Sequence, residues 1–250
     1  LRWWGLALLV WGIWGGVGYW LPVDAPILLA EPGTWPYFLG TDALGRDILV
    51  RLLRGSYLST GVALGATAVG LGVGVTVGLL AGYYGGRVDR VARLAMQVLW
   101  VVPSLLWAAV LAFVLGRGLM AVILAVGLSS WVETGRLIRV ETQRLRQQPF
   151  VEAALALGYP PSRVLWRHLI PLLGPTIRVQ GLALFATAIL IEAGLGFVGL
   201  SVTTPHVSLG TLLYEGIGWL RLPQGQLQAL VSAFSLVGVV FVVYLSSQKL

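Results

Sequence analysis

The chain has 250 residues, 57% of them hydrophobic and only 11% charged, with a mean hydropathy of +0.85. That composition excludes an ordinary soluble domain and a disordered one, and zero cysteines exclude disulfides, Cys-linked haem and thiolate metal sites. The net charge of +7 would suit nucleic acid, but its distribution along the chain points to a lipid bilayer and to no nucleic-acid partner.

Charge-free runs cover Trp3 to Val23, Leu58 to Gly86, Leu94 to Gly116 and Leu222 to Gln248. Each reaches the ~20 apolar residues that a membrane-crossing helix needs. Two further candidates are less clean: Leu119 to Val132 is short, and Pro175 to Leu200 contains Arg178 and Glu192. The expectation is an all-α polytopic membrane protein with about six transmembrane helices. Trp3 to Val23 is too long for the apolar core of a signal peptide and lacks a clear cleavage site. A chain that starts at Leu1 is expected to be trimmed or incomplete at its N-terminus.

Taken in order, residues 1–23 read as the first transmembrane helix and 24–57 as an external loop. Within that loop Thr41 or Asp42 is the expected N-cap of a helix. From Leu44 to Arg54 the leucines share one face and the charges largely the other, with Asp47 and Arg51 spaced to pair. This predicts an amphipathic helix at the outer interface. Residues 58–250 then form a five-helix core. Its first span carries Gly70, Gly74, Gly78 and Gly82, a four-residue repeat that reads as a helix-packing seam. Gly85-Gly86 ends that helix, Arg87 to Arg93 form a cytoplasmic turn, and Pro103 kinks the next span.

From Leu119 the following helix is expected to run on into the cytoplasm past Arg136 until Gln148-Pro149. Pro149 suits the first turn of a short helix, where Glu152 meets the favourable end of the dipole. Gly158 can close that helix in a left-handed turn, and Pro160-Pro161 forbids its continuation. On capping signals alone this is an ordinary loop helix. An outer segment, 196–226, separates the last two spans.

Six spans place both termini on one side, with Arg87, Arg90, Arg93, Arg136, Arg139, Arg144, Arg146, Arg163 and Arg167. The other side holds Arg46, Arg51, Arg54, Arg117 and Arg221, offset by five acidic residues. The arginine bias makes both termini cytoplasmic in the cell membrane.

The loop from residue 149 to 171 contains Glu152-Ala153-Ala154, then Gly158, then His168-Leu169-Ile170-Pro171. It resembles the cytoplasmic EAA loop of the membrane subunits of ABC importers. Agreement extends to Phe38 to Leu64, centred on Gly40-Thr41-Asp42 and Leu44-Gly45-Arg46-Asp47, to Gly82 through Pro103, and to Glu192 through Gly210. Together these blocks resemble the second-permease type of the dipeptide, oligopeptide and nickel importers. Gln97, Leu209 and the Leu169-Ile170 order depart from the family's usual residues, which leaves the solute open.

The resemblance implies a type I importer permease fold with a coupling helix. It implies Glu152, Ala153, Ala154, Gly158, Tyr159 and Arg163 as the ATPase-coupling residues. It also implies a second permease subunit, two ATPase subunits and an extracytoplasmic solute-binding protein as partners. ATP and Mg would be used by the ATPases, with no cofactor bound by this chain. The solute would be a peptide, a nickel chelate or a similar small molecule.

The residues themselves show no P-loop, since the only lysine is Lys249. There is no nucleophile elbow, so no catalytic residue is expected. His168 and His206 fall on opposite sides of the membrane in this topology, which leaves no metal site. Glu192 is either an intramembrane functional carboxylate or a side chain near the outer helix end that reaches water. An ion-coupled transporter would instead show inverted repeats and several midplane carboxylates. An intramembrane enzyme would show convergent catalytic groups. A related ABC system with another solute, or an exporter, stays open.

Overall fold

A computed structural model describes residues 18, 21, 31, 32, 37–116, 118–202 and 206–247. The expected first span, Trp3 to Val23, lies almost wholly outside the described residues. Among the described residues the chain is helical: α1 (Ile48–Tyr84), α2 (Gly86–Val101), α3 (Ser104–Leu115), α4 (Leu119–Arg146), α5 (Pro149–Ala156), α6 (Pro161–Val164), α7 (Ile170–Val198), α8 (Leu209–Gly218) and α9 (Pro223–Ser247). One π turn, Leu165–Leu169, joins α6 to α7 without a break. Four helices are long and apolar enough to cross a membrane, and α2 with α3 makes a fifth if the bent pair counts as one.

The long helix α1 begins at Asp47, whose carboxylate accepts from the Leu49 and Val50 amides at 2.8 and 3.2 Å. Thr41 and Asp42 do not cap a helix. Asp42 instead accepts the amides of Leu44 and Arg46, both at 2.9 Å, and closes a tight turn. Leu44 to Arg54 is therefore not a separate interfacial helix: its second half is the first two turns of α1. At ~1.5 Å per residue α1 is about 55 Å long, well beyond a ~30 Å hydrocarbon core. Part of α1 must therefore lie outside the apolar layer or cross it at a tilt.

The core is built on α1 packed against α4. Gly70, Gly74, Gly78 and Gly82 are buried along this contact. A Cβ on Gly74 would stand 2.7 Å from Thr134 Cβ, one on Gly78 2.6 Å from the Gly135 carbonyl, and one on Gly82 2.6 Å from the Arg139 carbonyl. Gly127 does the same from the other side, 2.7 Å from Val69 Cβ. Backbone meets backbone here, the arrangement small residues permit in membranes.

The third span differs from a simple proline kink. The chain turns by 94° between α2 and α3 at Val102-Pro103. A 12-residue α3 rises only ~18 Å, too short to cross alone. Pro103 has no N–H for a helical bond, and the residue before proline is driven to extended backbone. Val102 adopts that conformation, with ψ of 131°.

The segment 196–226, expected on the outer side, is also more structured than a loop. Ser208 Oγ accepts from Thr211 N at 3.3 Å and caps α8. Leu209, Gly210, Leu212 and Gly216 of α8 are buried. A Cβ on Gly210 would be 2.1 Å from the Ala193 carbonyl, and one on Gly216 2.6 Å from Ala229 N. Thus α8 is wedged between α7 and α9.

Candidate functional site

The loop from residue 149 to 171 is a stack of short pieces, each set by a local residue. Pro149 occupies the first turn of α5, and Gln148 precedes it in extended backbone. Past the helix end Gly158 has φ of 76°, a left-handed turn that a Cβ would strain. Tyr159 N then reaches back to the Ala154 carbonyl at 3.1 Å. Pro160 and Pro161 start α6 directly afterwards.

Val151 and Ala154 face inward and pack with Leu79, Tyr83, Ile138, Val164, Leu165, Leu169 and Leu173. Ala154 is only 5% exposed and packs α5 onto the bundle. This separates it from the rest of the expected coupling set. Glu152, Ala153, Gly158 and Arg163 are exposed and Tyr159 is half-buried. Leu157 and Trp166, 73% and 72% exposed, add apolar surface on the same loop. Sequence reading missed both, although a bare Trp in a basic loop is a usable signal.

Tyr159 organises the far side of the loop. The Arg163 guanidinium lies 5.0 Å from its ring centroid, and the His168 ring lies 6.1 Å away. Both contacts tie α6 and the π turn to the Gly158 corner. Glu152 lines an open cleft with Gln143, Arg146 and Gln147 at the end of α4. Above it, Arg139 binds Asp89 through both Nε and Nη2, the latter at 3.0 Å, and Arg93 adds a 3.2 Å contact. Asp89 is buried, so this pairing fixes the start of α2 on α4 beside the 149–171 loop.

At the start of α1 a second charged cluster forms. Arg51 Nη1 donates to Asp42 at 2.9 Å and to Glu215 at 2.5 Å, and Arg46 binds both acids at 2.7 and 3.2 Å. The expected Asp47–Arg51 side-chain pair is absent: Asp47 is spent on the cap and Arg51 turns to Asp42 and Glu215. The cluster joins the 37–47 turn to α8, a contact across 164 residues that local spacing does not reveal.

Glu192 does not reach water. It is 0% exposed. It accepts from Ser59 Oγ at 2.7 Å and Ser201 Oγ at 2.8 Å, while Ser59 Oγ itself accepts from Leu209 N at 3.1 Å. One carboxylate thereby joins α1, the end of α7 and the start of α8. His168 and His206 share no site, and no group of three metal-binding side chains occurs among the described residues.

Comparison with known proteins agrees with this geometry. Residues 74–250 match the family described as "binding-protein-dependent transport system inner membrane component". The chain is 36% identical over 187 residues to the oligopeptide transport system permease protein OppC of Bacillus subtilis, covering 75% of this chain and 61% of that protein. It is 33% identical over 208 residues to the dipeptide transport system permease protein DppC of Lactococcus lactis, covering 83% of this chain and 61% of that protein. With the glutathione transport system permease protein GsiD of Pectobacterium atrosepticum it shares 34% over 202 residues, covering 79% and 67%. The chain thus spans about three fifths of the length of the first two relatives. The fold matches a chain of the inward-facing MetNI methionine ABC transporter with a TM-score of 0.66 at 17% identity, covering 79% of this chain and 93% of that one. On the family match and these identities, the chain belongs to the inner-membrane components of binding-protein-dependent transport systems.

Proposed function

We propose that the chain is a pore-forming permease subunit of an ABC importer for peptides. Separate ATPase subunits move it, a second permease completes the pathway, and an extracytoplasmic binding protein delivers the solute. The observation that carries this reading is the construction of α5. One face, Val151 and Ala154, is locked into the bundle, while Glu152, Ala153 and Leu157 stay exposed. A short helix rigidly attached on one side and bare on the other transmits a push from a docked protein into α1 and α4. The names of the OppC, DppC and GsiD relatives support a peptide as the solute.

ATP closure of the ATPases would shift α5 and, through its packing partners Leu79, Tyr83 and Ile138, tilt α1 and α4 between inward-open and outward-open states. Both ends of that equilibrium are then biased by binding, which is allosteric coupling with no chemistry on this chain. The cytoplasmic termini expected from the arginine bias place α5 on the ATPase side.

The test is uptake of a labelled tripeptide into proteoliposomes that contain the four-subunit complex and the binding protein. Uptake driven by ATP, with no response to an imposed proton or sodium gradient, supports the proposal. Gradient-driven uptake without ATP would reject it in favour of ion-coupled transport.

A further inference from the structure

At the 94° break between α2 and α3 the bundle opens into a cleft of about 180 Å³. One buried water takes roughly 10–15 Å³ on the same measure, so the cleft holds far more than an ordered water. Its walls come from the break, from α4 and from α7. Half of its lining is polar, with Ser104, Ser130, Glu133, Gln180 and Thr187 among the residues facing it, and Trp100 forms an aromatic edge.

Glu133 is the unusual member. Its place in α4 is about 21 Å along the axis from Leu119. It is exposed, and it makes no hydrogen bond or ion pair with any described residue. The cation one turn below does not serve it: the Arg136 guanidinium stacks over Trp100, 4.5 Å from the ring centroid. Every other acidic side chain of the spans has partners, Glu192 two serines and Glu141 an arginine. With no protein partner, this carboxylate opens into the polar cleft and is available to a cation there. On α7, Thr176, Gln180, Ala183 and Thr187 follow the i, i+4, i+7, i+11 spacing of one helix face. That face carries hydrogen-bonding groups where a lipid-facing helix would carry leucines.

We infer that this cleft is a solute-binding station of the translocation path, with Glu133 as the counter-charge for a solute ammonium group. Ser130, Gln180 and Thr187 supply hydrogen bonds that tolerate varied side chains. The class of ligand is a small polar molecule bearing a primary ammonium, such as the free N-terminus of a short peptide. The inference rests on the proposed pore function, yet its local claim concerns charge selection in the cleft and is measured separately.

The chain has no cysteine, so one introduced thiol reports alone. In the reconstituted complex Thr187→Cys is reacted with a cationic and an anionic thiosulfonate reagent of similar size. The cationic reagent is expected to react faster by about tenfold relative to the ratio for a free thiol, the effect of one carboxylate within several ångströms. Adding Glu133→Gln should collapse that preference. Uptake of a tripeptide should likewise exceed that of its N-acetylated form, and Glu133→Gln should narrow the gap while assembly with the ATPases is unchanged. No reaction of Thr187→Cys with either reagent, or a preference untouched by Glu133→Gln, overturns the inference. A wild-type complex that carries no peptide overturns the proposed function, while a charge preference that depends on Glu133 still sustains the station.

Discussion

The glycine seam gives a sharp prediction because one helix contains its own control. A Cβ on Gly78 would lie 2.6 Å from the Gly135 carbonyl and 3.0 Å from Arg139 N. Ordinary contact begins near 3.4 Å, so α1 and α4 must part by about 0.8 Å at this level. These neighbours are mostly backbone, and no rotamer change relieves them. Such overpacking costs about 1–3 kcal/mol. Gly72 sits on the same helix with nothing within 4 Å of its Cβ position. There Ala is expected to stabilise by roughly 0.5–1 kcal/mol through the backbone entropy of the unfolded chain. Gly78→Ala receives the same helix benefit, so the difference between the two variants isolates the steric term. At about 2–4 °C per kcal/mol for a chain of this size, Gly78→Ala should melt several degrees below Gly72→Ala in detergent. The 11 tryptophans make intrinsic fluorescence a direct readout. Equal melting of the two variants would refute the close packing of α1 on α4.

Other consequences test different parts of the molecule. Arg139→Ala strips a buried Asp89 of its bidentate partner and leaves only the exposed Arg93; a loss of about 3 kcal/mol should appear as reduced yield of folded protein, and Asp89→Asn in the same chain should restore part of it. Gly158→Ala meets no atom within 4 Å but must hold φ near 76°, so a melting loss of about 1–2 kcal/mol is expected, smaller for Gly158→Asn. Ala154→Leu should destabilise the isolated chain, because Ala154 packs with Leu79, Ile138 and Leu169, whereas Ala153→Leu should leave its melting unchanged. Glu192→Ala should leave Ser59 and Ser201 without their acceptor, and loosened α8 should show as faster protease cutting in the 202–208 segment.

Much of this fold is legible in the sequence because membrane helices announce themselves by long apolar runs, and Pro149, Gly158 and Pro161 punctuate the coupling loop through backbone rules that act locally. The four-glycine stripe is legible for the same reason: its spacing is a property of one helix. What reading along the chain does not deliver is pairing at a distance. Arg51 turns away from Asp47, its sequence neighbour, toward Glu215. Asp89 and Arg139 lie 50 residues apart. Ala154 looks like part of a thin docking surface until helix orientation shows which face the bundle covers. Glu133 draws no notice along the chain, because only the fold brings it to a cleft shared with Gln180 and Thr187 of α7. Pro103 is legible as a bend, while the 94° turn depends on the α4 and α7 surfaces that receive α3.

A single bulky substitution on the bare face of α5 tests whether this helix receives the ATPase. In proteoliposomes containing the complete complex, Ala153→Trp is compared with wild type for ATPase retention during purification and for ATP-driven tripeptide uptake. The expected result is a normally inserted chain with unchanged melting that loses the ATPases, or keeps them and fails to couple hydrolysis to uptake. Wild-type assembly, hydrolysis and uptake in Ala153→Trp would show that α5 does not receive the ATPase.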